Sequence, residues 1–300
     1  MISLAPLKYR SILADAGGPV QKMLSAEIAG ANGKTSYEAA AYLKLELRPD
    51  DLIENKLYGN PDGTGTDNYK SIACYKAISE ALERWAYYET CNGVSHNNYG
   101  FDIDPTTTGM AAFPGLTKNA ARSIAFQEAL ERWALVEWWL GNLQSTSVST
   151  THLPNLVITI PNVGSVAIIW QQLQEFADVT AYGFAGGKNI KQAISKAQIE
   201  LDRNIFLLNN YFRNSNRMDV NQFHIQEQRV LWFASPEGHN SFLNRVSDSQ
   251  QKSEIIHIPE LILDQSIDGP WNSYATAWRC LFKATTPFAA NENRLDFFMF

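Results

Sequence analysis

Apolar residues recur at helical spacing along three stretches of the chain. Ile78, Leu82 and Trp85 fall at i, i+4 and i+7, and Phe126, Leu130 and Trp133 repeat that spacing further on. The pattern predicts helices over about 65–89 and 118–140. An Ala-rich stretch predicts a third over about 189–210. Weak alternation over Tyr37–Arg48 predicts a strand ending before Pro49, and Leu156–Ile160 and Val166–Trp170 predict two more around a Pro161–Gly164 turn. Strand character returns over 256–290. Gly17-Gly18-Pro19 reads as a turn, and Ala31-Asn32-Gly33-Lys34 as a hairpin turn between short strands. Three glycine-bearing stretches precede the helices and read as loops or lead-ins: Gly59–Thr66, Thr108–Ala112 and Tyr182–Lys188. Residues 91–117 are polar and turn-rich. Residues 214–255 are polar, lack a motif and read as partly mobile. Phe297-Phe298-Met299-Phe300 closes the chain as an apolar segment expected to dock on the body.

The first two helices share more than a period. Glu80-Ala-Leu-Glu-Arg-Trp-Ala86 recurs residue for residue as Glu128-Ala-Leu-Glu-Arg-Trp-Ala134. In each copy two glutamates at i and i+3 lie side by side on one helical face, and an arginine follows directly. A solvated face with local ion pairs is the ordinary reading of one such copy. Two copies set among apolar neighbours point further. A fold that joins these helices gathers Glu80, Glu83, Glu128 and Glu131 in one place. Like charges so gathered repel and call for cations, which predicts a polymetal site. The third helix carries Lys196, Glu200, Asp202 and Arg203 after its own glycine-rich stretch, a faint echo of the same layout.

Composition narrows the class without naming the chemistry. Three hundred residues, 45% hydrophobic and 19% charged, describe a soluble globular chain long enough for a large core. The net charge of −6 and the lack of a basic block argue against a nucleic-acid groove. Cys74, Cys91 and Cys280 show no paired spacing, so buried thiols in a reducing compartment are expected rather than a disulfide frame. Neither a signal peptide nor a membrane span is read, since Glu137 breaks the apolar run of the second helix. A cytoplasmic protein is the expectation. The five histidines lack metal-ligand spacing. A di-iron bundle needs Glu-x-x-His, and both helices place a second Glu where that His would stand.

The order of these motifs resembles the YcaO family. A Gly-rich stretch leads to Ala-x-x-Glu-Ala-x-Glu-Arg, then Thr107-x-Gly-Met-Ala-Ala leads to the second Glu-Ala-Leu-Glu-Arg-Trp. Gly183-Phe-x-Gly-Gly then leads to Ala193-Ile-x-Lys-Ala-x-x-Glu200. The resemblance spans about 59–204 of a chain read as one domain over 1–300. It implies an α/β (α+β) fold, with mixed sheets and three Glu-bearing helices lining a central nucleotide cleft. The internal repeat would form a pseudo-symmetric pair of units. It also implies ATP and Mg2+ as cofactors, used to phosphorylate a backbone amide oxygen. A nucleophile then attacks, giving azolines, thioamides or amidines in ribosomally made peptides. Carried over residue by residue, Glu80, Glu83, Glu128, Glu131 and Glu200 become magnesium ligands at the nucleotide. Lys196 takes the place of a phosphate-binding arginine, keeping the charge without the bidentate fork, and Gly186 falls in a Gly-rich turn near the nucleotide. Lys196, Arg84 and Arg132 are the candidate catalytic groups, and the two arginines have a structural alternative in pairing with neighbouring glutamates. The implied partners are a precursor peptide and a protein supplying peptide recognition or the nucleophile, with room for a homo-oligomer and none for nucleic acid or membrane.

The departures define a second expectation. Lys76 stands where the family often has a small hydroxyl residue. Ala120 and Ile124 stand where it often has polar nucleotide-contacting groups. Azoline-forming members typically end in a Pro-rich tail, whereas this chain has Pro287 late on and ends Phe-Phe-Met-Phe. The alternative is a catalytically reduced subunit that presents a precursor peptide or holds a partner enzyme.

Overall fold

The computed structural model describes residues 5–29, 35–49, 57, 59–93, 96–115, 117–149, 152–214, 220–251, 259–285 and 293–298. The chain begins with helix α1 (Ala5–Ile12), strands β1 (Val20–Ala29), β2 (Thr35–Leu43) and β3 (Gly63–Asp67), and helix α2 (Lys70–Cys91). Then come β4 (Met110–Phe113), α3 (Asn119–Trp139), β5 (Asn155–Ile160), β6 (Gly164–Gln172), β7 (Thr180–Gly187) and α4 (Ile190–Asn214). Helices α5 (Ile225–Ala234) and α6 (Pro236–Gln251) and strands β8 (Leu261–Ile267) and β9 (Thr276–Phe282) complete it. Three antiparallel sheets result, ordered β1-β2-β3, β4-β9-β8 and β5-β6-β7. The turn expected over 31–34 lies outside the described residues, but Ala29 pairs with Thr35 as a hairpin there requires. The α/β (α+β) reading holds, although each sheet is antiparallel rather than mixed, and all three main helices lie near their expected bounds.

The glycine-bearing stretches are strands, which corrects their reading as loops. Gly63–Thr66 pairs with β2, Met110–Ala112 with β9, and Tyr182–Gly187 with β6. Glycine weakens a strand but permits close backbone approach, and the helices make use of it. A Cβ on Gly63 would stand 2.1 Å from the Ala77 carbonyl oxygen and 2.3 Å from the Ala81 nitrogen. On Gly183 it would stand 2.1 Å from the Ala197 oxygen and 2.3 Å from the Leu201 nitrogen. Small residues on both sides seat α2 on β3 and α4 on β7 almost backbone to backbone.

Those two contacts also revise the internal symmetry. Gly63, Ala73, Lys76, Ala77 and Glu80 correspond to Gly183, Ala193, Lys196, Ala197 and Glu200. Each set sits in a three-stranded meander followed by its helix. The topological pair is therefore β1-β2-β3-α2 and β5-β6-β7-α4. The α3 unit, whose sequence most resembles α2, instead takes its other strands from the C-terminal β8–β9 hairpin.

Sheet β5-β6-β7 is covered on both faces, so its strands read as continuous apolar runs. Val157, Ala167, Ile169 and Ala181 pack towards α4, whereas Leu156, Ile158, Ile168 and Tyr182 join Trp138, Phe233 and Phe242. Residues 225–251 are helical, a second correction. Glu227 caps α5 by accepting from the His224 backbone N–H at 3.0 Å, and Val230, Phe233 and Phe242 bury the inner faces. The sequence of this segment gives little sign of it, because α6 carries a single fully buried apolar side chain, Phe242, on an otherwise polar surface. Phe297 and Phe298 dock as expected, and Phe298 lies 4.9 Å from Phe233 and 5.0 Å from Phe242 between ring centroids. All three cysteines are free, but of the thiols expected to be buried only Cys280 is; Cys74 and Cys91 are half-buried. Among the described residues, no helix is long and apolar enough to cross a membrane.

Candidate functional site

Helices α2, α3 and α4 each turn one face to a shared recess of about 1260 Å3. Along α2 the lining runs at i, i+3/i+4 from Ile72 through Lys76, Glu80, Glu83 and Tyr87 to Cys91, roughly 30 Å of helix. Glu128, Glu131 and Arg132 enter from α3, and Lys196, Glu200 and Arg203 from α4. The fold thus brings together every acidic and basic side chain singled out for the site. Gly186 is placed differently: it lies in β7, its N–H donating to Glu131 Oε2 at 2.7 Å and its carbonyl accepting from Lys196 Nζ at 3.2 Å.

Each carboxylate has its own local restraint. Glu80 Oε2 accepts from the Thr64 backbone N–H at 3.0 Å and from the Thr64 hydroxyl at 3.1 Å, so β3 fixes its rotamer. Glu131 is held by the equivalent strand of the α4 unit, through Gly186. Glu83 and Glu128 have electrostatic rather than hydrogen-bonded neighbours. Desolvation and the facing Glu128 push Glu83 well above the usual carboxylate range, with Arg84 opposing. Desolvation raises Glu128 to about 8, opposed by Arg132 and assisted by Glu131 and Glu80. Desolvation likewise raises Glu131, against Arg132 and its Gly186 hydrogen bond. The glutamate pairs of α2 and α3 repel across the recess, as the repeat implied.

The cations divide into two groups. Arg84 stands 3.9 Å from Glu80, a long i,i+4 pair, and its guanidinium pKa is raised: desolvation lowers it, and Glu80 and Glu83 more than compensate. Arg132 Nε is buried without a partner while the residue faces the recess. On the other wall, Lys196 is pulled below the usual lysine range by desolvation, with Glu131 opposing and nearby Lys76 adding to the shift. Arg203 reaches Glu200 at 3.6 Å. Carboxylates and cations thus share the recess: α2 and α3 bring four glutamates with Lys76, Arg84 and Arg132, and α4 brings Lys196 and Arg203 with Glu200.

Three features were not foreseen in the sequence. Thr64 orients Glu80 from a stretch that reads as flexible loop. Glu38 in β2 is desolvated, with Arg203 and Glu200 as its charged neighbours, and its pKa is raised. Lys76 counts as a departure, yet it lines the recess. Its signal is present in the chain, since Ala73-x-x-Lys76-Ala77-x-x-Glu80 matches Ala193-x-x-Lys196-Ala197-x-x-Glu200.

Hard carboxylate oxygens, half-buried and crowded by like charge, suit a hard divalent cation. Among the described residues, no three His, Cys, Asp or Glu side chains form a group able to hold a metal ion by themselves. Mg2+ ordinarily takes one or two carboxylates and completes its shell with water and phosphate oxygens, a demand that pairs of glutamates can meet.

No family model and no curated protein matches the chain in sequence. Its fold is nonetheless shared with solved structures and is YcaO-like. The YcaO of Methanopyrus kandleri, solved bound with AMPPCP and Mg2+, superposes with a TM-score of 0.52 at 12% identity, covering 92% of this chain and 88% of that one. The Escherichia coli microcin synthetase McbBCD complex with pro-MccB17 bound gives a TM-score of 0.55 at 12% identity, covering 87% of each chain.

Proposed function

We propose that the chain is an ATP- and Mg2+-dependent enzyme that activates a backbone amide of a precursor peptide by O-phosphorylation. The observation that carries this reading is the gathering of Glu80, Glu83, Glu128 and Glu131 with the cations Lys196 and Arg203 of α4 within one recess. The neighbours of like fold, one holding AMPPCP and Mg2+ and the other holding pro-MccB17, support both the nucleotide and the peptide. Bound magnesium would neutralise charge on the phosphates and on the transferred phosphoryl group. Glu80, Glu83, Glu128 and Glu131 would hold it, and Glu200 would contribute from α4. Lys196 would bind phosphate oxygens as a point charge. Arg84 keeps Glu80 and Glu83 company on α2, and Arg132, with its unpartnered Nε, is the better placed of the two to meet a ligand. The whole chain acts as one domain in this reading.

The amide oxygen is a poor nucleophile, so positioning and electrostatics carry the rate. Substituting Glu80 or Glu128 by Gln should abolish Mg2+-dependent ATP turnover; turnover at the wild-type rate in either variant would sink the mechanism. A binding or scaffold subunit is the second reading. Ile124 favours it, because this isoleucine is 47% exposed where the family often has a polar group. Tight binding of a precursor peptide or partner protein without ATP hydrolysis, even in their presence, would select it.

A further inference from the structure

The two symmetry-related meander-and-helix units place equivalent lysines on the recess. Lys196 Nζ donates to the carbonyl of Gly186 in β7, and Lys76 Nζ donates at 2.7 Å to the carbonyl of Thr66 in β3. Thr66 and Gly186 occupy the same position in their units, ten residues before the lysine in each case. Lys76 also pairs with Asp67 at 2.9 Å, but its side chain is 45% exposed, so this pair contributes little. An ammonium has three N–H groups, and Thr66 and Asp67 account for two. Beside it, Thr66 is 3% exposed and lines the recess, and its hydroxyl oxygen is buried without a partner. A buried hydroxyl left unpaired costs free energy that a ligand can recover.

We propose that Thr66 Oγ1 and Lys76 Nζ form a phosphate subsite, the β3–α2 counterpart of Lys196, so that a polyphosphate in the recess is held from both meander units. The subsite rests on the nucleotide reading and adds to it a second basic contact. The hydroxyl that the family often carries on the helix is supplied here by the strand, and the helix position supplies charge. In α3 the corresponding residue is Ile124, which leaves two phosphate-facing units and one apolar one.

The test is calorimetric titration of the full chain with Mg-ATP and with Mg-tripolyphosphate. The variants are Lys76→Met, Lys76→Arg, Thr66→Val and Glu83→Gln, each checked by thermal melting. Lys76→Met should weaken both ligands about tenfold or more, as loss of a charged hydrogen bond does. Lys76→Arg should retain most of the affinity, and Thr66→Val should lose roughly threefold to tenfold. If Lys76→Met and Thr66→Val bind both ligands as the wild type does while Glu83→Gln abolishes binding, the subsite is wrong and the nucleotide site stands. Lys76-dependent binding of tripolyphosphate without binding of ATP would keep the subsite and overturn the nucleotide reading. Wild-type protein that binds neither ligand would overturn both.

Discussion

Desolvation, with Glu131 and Glu80 nearby, makes the charged form of Glu128 expensive, and Arg132 and Arg84 offset that only in part. Its folded pKa of about 8 lies above its unfolded value of about 4.5. The folded state therefore binds the extra proton between those values, and stability falls as pH rises through that window. The shifts of Glu83 and Glu131 act in the same direction. Glu128→Gln should accordingly raise the melting temperature of ligand-free protein at pH 8 by a few degrees, at about 2–4 °C per kcal/mol. The gain should shrink towards pH 5; an equal gain at both pH values would mean that the carboxylate is not strained. Cation binding must displace the same proton. Affinity for Mg-ATP should thus rise between pH 6.5 and pH 8.5 by roughly 25-fold, and a flat calorimetric profile over that range would argue against Glu128 as a ligand.

The strand–helix contacts set the geometry in which those residues meet. Gly63 and Gly183 admit no Cβ, because backbone atoms of α2 and α4 stand 2.1 Å from where it would be. Gly183→Ala should lower stability by several kcal/mol, as overpacking against rigid backbone does, and should weaken binding at Glu200 and Lys196 through displacement of α4. Urea denaturation of Gly183→Ala beside a surface control measures the loss, and a change below about 0.5 kcal/mol would contradict the close packing. These contacts also explain what can be read from the chain alone. The helices are legible because Ile78, Leu82 and Trp85 and their counterparts mark one buried face at helical spacing. The four glutamates are legible because the same seven residues occur twice. The glycine-bearing strands are not, since glycine signals a turn locally and a close approach only once the partner helix is known. The α2–α4 pairing reads only as a faint echo because few identities survive between the units, whereas α2 and α3 share a conspicuous run with different surroundings.

At the scale of the molecule, the β5-β6-β7 meander is held between α4 and an aromatic layer that includes the C-terminal segment. Phe298 touches Trp139, Phe233, Phe242 and Tyr182 at centroid distances of 4.9–5.6 Å. Phe184 of β7 lines the recess. Arg229 ties the segment down through the Arg294 carbonyl at 2.8 Å and stacks over Phe297. Phe298→Ala should cost about 3–5 kcal/mol in urea denaturation; a loss below about 1 kcal/mol would mean that the segment is dispensable to the core. The central claim is that the gathered glutamates form a working metal–nucleotide site. Calorimetry of ATP with and without Mg2+, on the wild type and on Glu83→Gln, tests it most directly. The account predicts binding that requires Mg2+ and disappears with the substitution. Magnesium-independent binding, or binding unchanged in Glu83→Gln, would contradict it.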